Sequence, residues 1–255
     1  MKITAIIQAR MSSTRLPGKA LATVLGRPLL GYVVSRVLLS NEVEEVKVAT
    51  SRENSDDAIA SFCRAEGIPC YRGKLEDVLD RYFCAAQESG ADPVVRITAD
   101  CPLIDPQVID LVVSKYLEGN TDYASNTLER SYPTGLDTEV FSYAALERAW
   151  REATWRSERE HVTPYIRKHP EYFRLRNVSY ESDLSAMPWT VDRPEDLEFV
   201  RQIYRWLDSP TAGMAQVLEV LKQHPETARL NAGIATNEGY ARTSKNDFLV
   251  KGRSG

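Results

Sequence analysis

The sequence has few cysteines and histidines, no long apolar run and no excess of positive charge, and each shortage excludes a class of function. Its cysteines, Cys63, Cys70, Cys84 and Cys101, occur without a C-x-x-C pair or a partnering histidine. Neither a disulfide framework nor a zinc site is favoured, so reduced structural thiols are expected. No stretch is long enough to span a membrane. The first apolar run ends at Gln8 and Arg10, before a signal-peptide core could form, so a soluble cytoplasmic protein is expected. A net charge of -4 argues against a nucleic-acid binder acting through bulk positive charge. Neither G-x-S-x-G nor a reactive-cysteine signature is present, no Ser-His-Asp arrangement can be assembled, and no internal repeat is visible.

What is present is an alternation of apolar runs with amphipathic stretches, the pattern of parallel strands joined by crossover helices. Strands are expected over residues 2–8, 45–50, 93–98, 121–125, 138–141 and 173–178. Helices are expected over 28–39, 55–66, 78–89, 107–118, 143–153, 158–168 and 194–207. Asp56 and Asp57 suit the positive start of the second helix. Val108, Leu111, Val112 and Tyr116 recur at helical spacing in the fourth. One α/β domain over residues 1–230 is expected, followed by a polar tail or flexible linker over 231–255.

The segment after the first strand concentrates Arg10, Ser12, Ser13, Thr14, Arg15, Pro17, Gly18 and Lys19. It is not a P-loop, because Ser13 stands where the first glycine belongs and Ala20 follows the lysine. A loop at the carboxyl end of a first parallel strand is nevertheless where open α/β sheets bind ligands. Arginine forks and a lysine point charge suit adjacent phosphates, a triphosphate above all. On composition alone, an exposed basic turn reads equally well.

Asp100 follows the β-branched run 94–98, and Asp192 follows the strand-like 188–191. A carboxylate just past a strand end can hold Mg²⁺ together with substrate phosphates. The alternatives are a turn residue for Asp100 and a helix cap for Asp192, ahead of Pro194. Asp105 before Pro106 fits the turn reading better than metal binding. Arg72, Asp77 and Arg81 stand in a loop-to-helix setting, where Asp77 and Arg81 also fit a plain helix-surface pair. His161 falls in an expected helix with Val162 and Tyr165 on its apolar side, where histidines are more often structural.

The ordered series QARMSSTRLPGK, ATSRENSDDAIASFC, YRGKLEDVLDRY, RITADCPLID, YPTGLDTEVFS, EREHVTPYI and WTVDRPEDLEFV resembles the spore coat polysaccharide type of cytidylyltransferase. That type is grouped with the acylneuraminate and 3-deoxy-manno-octulosonate cytidylyltransferases, and the resemblance runs over roughly residues 1–207. It implies a nucleotide-diphospho-sugar transferase fold, a three-layer Rossmann-like α/β domain with a mostly parallel central sheet. It also implies Mg²⁺-dependent transfer of CMP from CTP to an acidic sugar or related small acceptor, with release of pyrophosphate, for surface polysaccharide synthesis. Carried over, Lys19, Arg15 and Asp100 are the catalytic candidates, and Asp100 with Asp192 the Mg²⁺ ligands. Arg10, Ser12, Ser13, Arg15 and Lys19 are the substrate-binding candidates of the loop. Arg72, Asp77, Arg96 and His161 are those beyond it. Arg159, His161 and Arg130 are candidates for a cationic patch facing an acceptor carboxylate. A homodimer is expected, because related enzymes often pair. The alternatives are a same-fold enzyme using another nucleoside triphosphate, or a phosphorylated alcohol or phosphonate, and a nucleotide-binding module without turnover.

Overall fold

A computed structural model describes residues 1–233 and 238–250 of the chain. In chain order it contains β1 (Thr4–Gln8), the hairpin β2 (Thr23–Val24) and β3 (Arg27–Pro28), α1 (Leu29–Val37) and β4 (Glu45–Ser51). There follow α2 (Asp57–Ala65), β5 (Cys70–Gly73), α3 (Val78–Ser89), β6 (Val94–Thr98), α4 (Pro106–Leu117), β7 (Tyr123–Ser125) and β8 (Glu139–Phe141). The second half continues with α5 (Tyr143–Glu152), α6 (Arg156–His161), α7 (Pro164–Lys168), β9 (Leu175–Asn177) and α8 (Pro194–Trp206). Last come α9 (Met214–Gln223), α10 (Pro225–Ala228) and α11 (Glu238–Lys245).

Seven strands form one sheet in the order β5-β4-β1-β6-β8-β7-β9. β1 lies between β4 and β6, parallel to both. β8 runs antiparallel to β6 and β7, whereas β9 pairs parallel with β7. Both neighbours cover β1, so its backbone bonds are all internal and its apolar residues face helices on either side. Side chains alternate accordingly. Ala5 and Ile7 join Val48, Ile97 and residues of α1, α2 and α4 in one core layer. Ile6 joins Leu79, Tyr82, Phe141, Leu146 and Ile166 in the other. Each buried Val, Leu, Ile or Phe side chain contributes roughly 1.5–3 kcal/mol. The expected three-layer α/β arrangement with a mostly parallel sheet is therefore present.

A third apolar cluster gathers α8, α9, the β2-β3 hairpin and the buried Trp189 beside the sheet. Arg36 of α1 is fully buried and ties this part to the rest. Its Nε and two terminal nitrogens donate to the carbonyls of Ile104, Pro210 and Ala212 at 2.6–2.7 Å.

The connections position the site. The chain leaves β1 for β4 and β5 on one side, then returns to place β6 on the other. Strand order thus reverses beside β1, and Gln8 and Thr98 pair at the adjacent carboxyl ends. A crevice opens where the outgoing loops part, the usual ligand position of open α/β sheets.

Several expectations needed correction. β5, the β2-β3 hairpin, α9 and α10 were not foreseen, being short or weakly patterned. The expected helix over 158–168 is two helices, because Pro164 cannot continue the hydrogen bonds of the first. The stretch read as a tail or linker contains α11, and its described part is docked. Asp247 accepts from the Ser157 amide and hydroxyl, Phe248 O accepts from the Arg156 amide, and the Val250 amide donates to Thr154 O.

Candidate active site

Two loops that are remote in sequence meet at the mouth of the sheet. Asp100 follows β6, Asp192 precedes α8, and the Val191 amide donates to the Asp100 carbonyl at 2.8 Å. Asp192 is not the helix cap. Asp196 takes that task, accepting from the amides of Asp192 and Arg193 at 3.0 and 2.9 Å. The Asp192 carboxylate is thereby left to face the crevice. Asp105, by contrast, is a cap, accepting from the Gln107 amide at 2.8 Å and buried beneath α9.

The basic loop reaches the same place. Lys19 Nζ lies 2.6 Å from Asp100 Oδ2 and 2.9 Å from Asp192 Oδ1, and also donates to the Val191 carbonyl. Arg15 approaches Asp192 Oδ1 at 2.6 Å. Burial works against both charged forms in the Lys19–Asp100 pair, but their mutual attraction outweighs it. Lys19 is raised above its ordinary value. Asp100 is lowered to about 2 by Lys19 and by the Thr98 hydroxyl, which donates to its Oδ1 at 2.5 Å. Burial and then the Asp100 charge push the neighbouring Cys101 thiol far above its ordinary value.

These groups line a cavity of about 430 Å³. Its far wall is a buried polar network built on the reversed strand β8. Glu139 pairs with Arg96 and accepts from the Tyr123 and Thr163 hydroxyls at 2.5 and 2.6 Å. Burial opposes ionisation of Glu139, yet Arg96 and the two hydroxyls hold its carboxyl below the usual range. Thr163 reaches it because the chain turns sharply at Val162, whose φ of 72° is unusual for a β-branched residue. His161 lies beside this network, its Nε2 unpartnered among the described residues and the Tyr240 ring edge-on at 5.1 Å. Burial, reinforced by Arg96 and Arg10 and only partly offset by Glu160, depresses His161 to about 4. The ring is therefore neutral at pH 7.

Of the residues singled out by sequence, Arg10, Ser12, Ser13, Arg15, Lys19, Arg96, Asp100, His161 and Asp192 all line this cavity. Arg72 and Asp77 do not. Arg72 is spent on the carbonyls of Ser51 and Glu53 and on Asp57. Asp77 caps α3 and makes a two-pronged pair with Arg159, fastening α6 onto α3, so Arg159 faces Asp77 and not the cavity. Arg130 is in the wall, forked onto Asp137 at 2.8–2.9 Å. Sequence reasoning missed Glu139, Thr163, Arg167 and Tyr240. The first two stand inside motifs that resembled the family, whereas nothing in the sequence marks Tyr240.

Among the described residues, no three His, Cys, Asp or Glu side chains gather as a metal cage. Two carboxylate oxygens do converge on one point, at Lys19 Nζ.

A family profile described as cytidylyltransferase matches residues 4–227. The spore coat polysaccharide biosynthesis protein SpsF of Bacillus subtilis is 31% identical over 88% of this chain and 95% of its own. The 3-deoxy-manno-octulosonate cytidylyltransferase of Geobacter metallireducens is 40% identical, over 45% of this chain and 44% of its own. A solved cytidylyltransferase from Leptospira borgpetersenii superposes with a TM-score of 0.87 at 33% identity, over 92% of this chain and 99% of that one. With this fold and a near full-length sequence match in common, this chain belongs to the cytidylyltransferase family.

Proposed function

We propose that the protein transfers CMP from CTP to an acidic sugar or related small acceptor, releasing pyrophosphate, in the synthesis of a surface polysaccharide. The observation that carries this reading is the meeting of Lys19 and Arg15 with Asp100 and Asp192 at the reversal of strand order. Arg10, Arg15 and Lys19 bind the triphosphate, with Ser12 and Ser13 supplying neutral donors from the same loop. Asp100 and Asp192 hold Mg²⁺. Their donor set fits, because this ion takes one or two carboxylates and completes its shell with phosphates and water. When bound, the ion neutralises charge on the phosphates and polarises the reacting phosphorus.

In the resting site Lys19 occupies the space between the two carboxylates. On binding, its ammonium turns toward the phosphates and takes up charge that develops on the departing pyrophosphate. As the acceptor hydroxyl oxygen bonds to the α-phosphorus, the bond to pyrophosphate breaks and the hydroxyl proton passes to solvent; holding that oxygen in line supplies most of the rate. The acceptor sits toward His161 and the Arg96-Glu139 network. A homodimer belongs to the same reading and is checked by light scattering.

The test is pyrophosphate release from CTP, UTP, ATP and GTP, with and without Mg²⁺, over a panel of acidic sugars, phosphorylated alcohols and phosphonates. Turnover confined to CTP, Mg²⁺ and acidic sugars is expected. Turnover with phosphorylated alcohols instead would overturn the acceptor class, and undiminished turnover by Asp100→Asn at saturating Mg²⁺ would overturn the metal assignment.

A further inference from the structure

Asp56 takes no part in the cavity, yet it is the group to which the basic loop is fastened. Its side chain is fully buried and makes no helix-capping bond, although it stands directly before α2. Oδ1 accepts from the Met11 amide at 2.7 Å. Oδ2 accepts from both the amide and the hydroxyl of Ser51, at 3.1 and 2.5 Å, and Ser51 is the buried last residue of β4.

Met11 is the hub of the loop. Its carbonyl accepts from the Ser13 and Gly18 amides, both at 2.9 Å, drawing residues 11–18 into a closed ring. Gly18 completes that ring with φ +76°, a conformation in which a side chain is strained. Arg15 lies within the ring and Lys19 directly after it. One buried carboxylate therefore joins the ring that carries Arg15 and leads into Lys19 to the end of a sheet strand. Of this loop only Met11 and Leu16 pack against the core, so its three hydroxyl residues, two arginines and lysine depend on polar bonds for their placing.

We propose that Asp56 is a positioning residue, which holds the 10–19 loop in the shape that presents Arg15 and Lys19 to an anionic ligand. Charge-assisted bonds from three donors, made out of water, fix the loop before the ligand arrives. Fixing it beforehand removes an ordering cost from binding.

The proposal rests on the nucleotide reading for one of its two readouts only. In Asp56→Asn, one side-chain position becomes a donor facing a donor, so the clamp opens. Amide hydrogen exchange across 10–19 is expected to accelerate about tenfold or more, with α4 and β6 unchanged. Mg²⁺-CTP is expected to bind about tenfold more weakly than to the unaltered protein. Ser51→Ala, which removes one of the three donors and leaves the carboxylate in place, should shift both readouts in the same direction by less, and it serves if Asp56→Asn does not fold. Asp57→Asn, which loses only an exposed pair with Arg72, should shift neither. Unchanged exchange across 10–19 in both Asp56→Asn and Ser51→Ala overturns the proposal, as does exchange accelerated equally throughout the molecule. Failure of the unaltered protein to bind Mg²⁺-CTP would overturn the nucleotide reading, while the exchange measurement still decides the role of Asp56.

Discussion

Lys19 is held by two carboxylates and a carbonyl at distances of 2.6–2.9 Å, a geometry that compensates its charge in a largely buried place. Removing it leaves Asp100 without its cation and Asp192 with Arg15 alone. Lys19→Ala is therefore expected to lower the rate of pyrophosphate release by about 10²–10³, the usual loss when one preorganised electrostatic contact to a transition state is removed. A fall of less than about threefold would place the transition-state charge elsewhere. His161 gives a second prediction at this scale. Its folded value of about 4 is depressed from 6.5, so the unfolded chain binds the proton more readily. The resulting stability is complete above about pH 6.5 and is lost as pH falls toward 4, by roughly 1–3 kcal/mol. Urea midpoints measured across this range should fall with pH, and His161→Gln should flatten that slope.

At the scale of elements, six of the seven sheet strands were legible, β7, β8 and β9 among them although each is only three residues long. β1, β4 and β6 read from sequence because each is rich in β-branched and apolar residues, even where Lys47 and Arg96 interrupt the run. β5 did not, because CYRG carries no comparable apolar run. The break between α6 and α7 was signalled by Pro164 but hidden by the helical spacing around it. Element junctions depend on buried polar groups that no periodicity marks, and Arg36 is the clearest case. Replacing it with methionine keeps the apolar stem but leaves three carbonyls without their donor. Arg36→Met should cost about 3 kcal/mol in urea unfolding, with α1, α8 and α9 loosening together. A loss below about 0.5 kcal/mol would show that water replaces the guanidinium at no cost.

At the scale of the whole molecule, the C-terminal segment lies beyond the residues matched by the family profile, yet it reaches the cavity. Tyr240 enters the wall against His161, and Thr243 donates to Glu160, which also faces Arg10 at 3.7 Å. Ending the chain after Gly233 should leave a folded domain, because Asn231, bonded to Pro188 O and Asp196, stays in place. The melting temperature should fall by about 2–6 °C, since the lost hydrogen bonds are partly offset by the chain entropy recovered. An unchanged melting temperature would mean that the docked segment adds no stability.

The sequence by itself determined the class of fold, the basic loop after β1 and the two acidic positions, because each is written in a local run of strand, turn and polar residues. It left the choice between a cap and a site residue open at Asp192, since both readings demand the same local pattern. Only the tertiary structure removed the cap reading, by giving the capping bonds to Asp196 and bringing Lys19 to Asp192 across 173 positions of sequence. The same holds for Asp77, Arg72 and Arg96. Whether a charged side chain faces a cavity or fastens two elements depends on which partner packing places opposite it, and that partner lies far away in the chain.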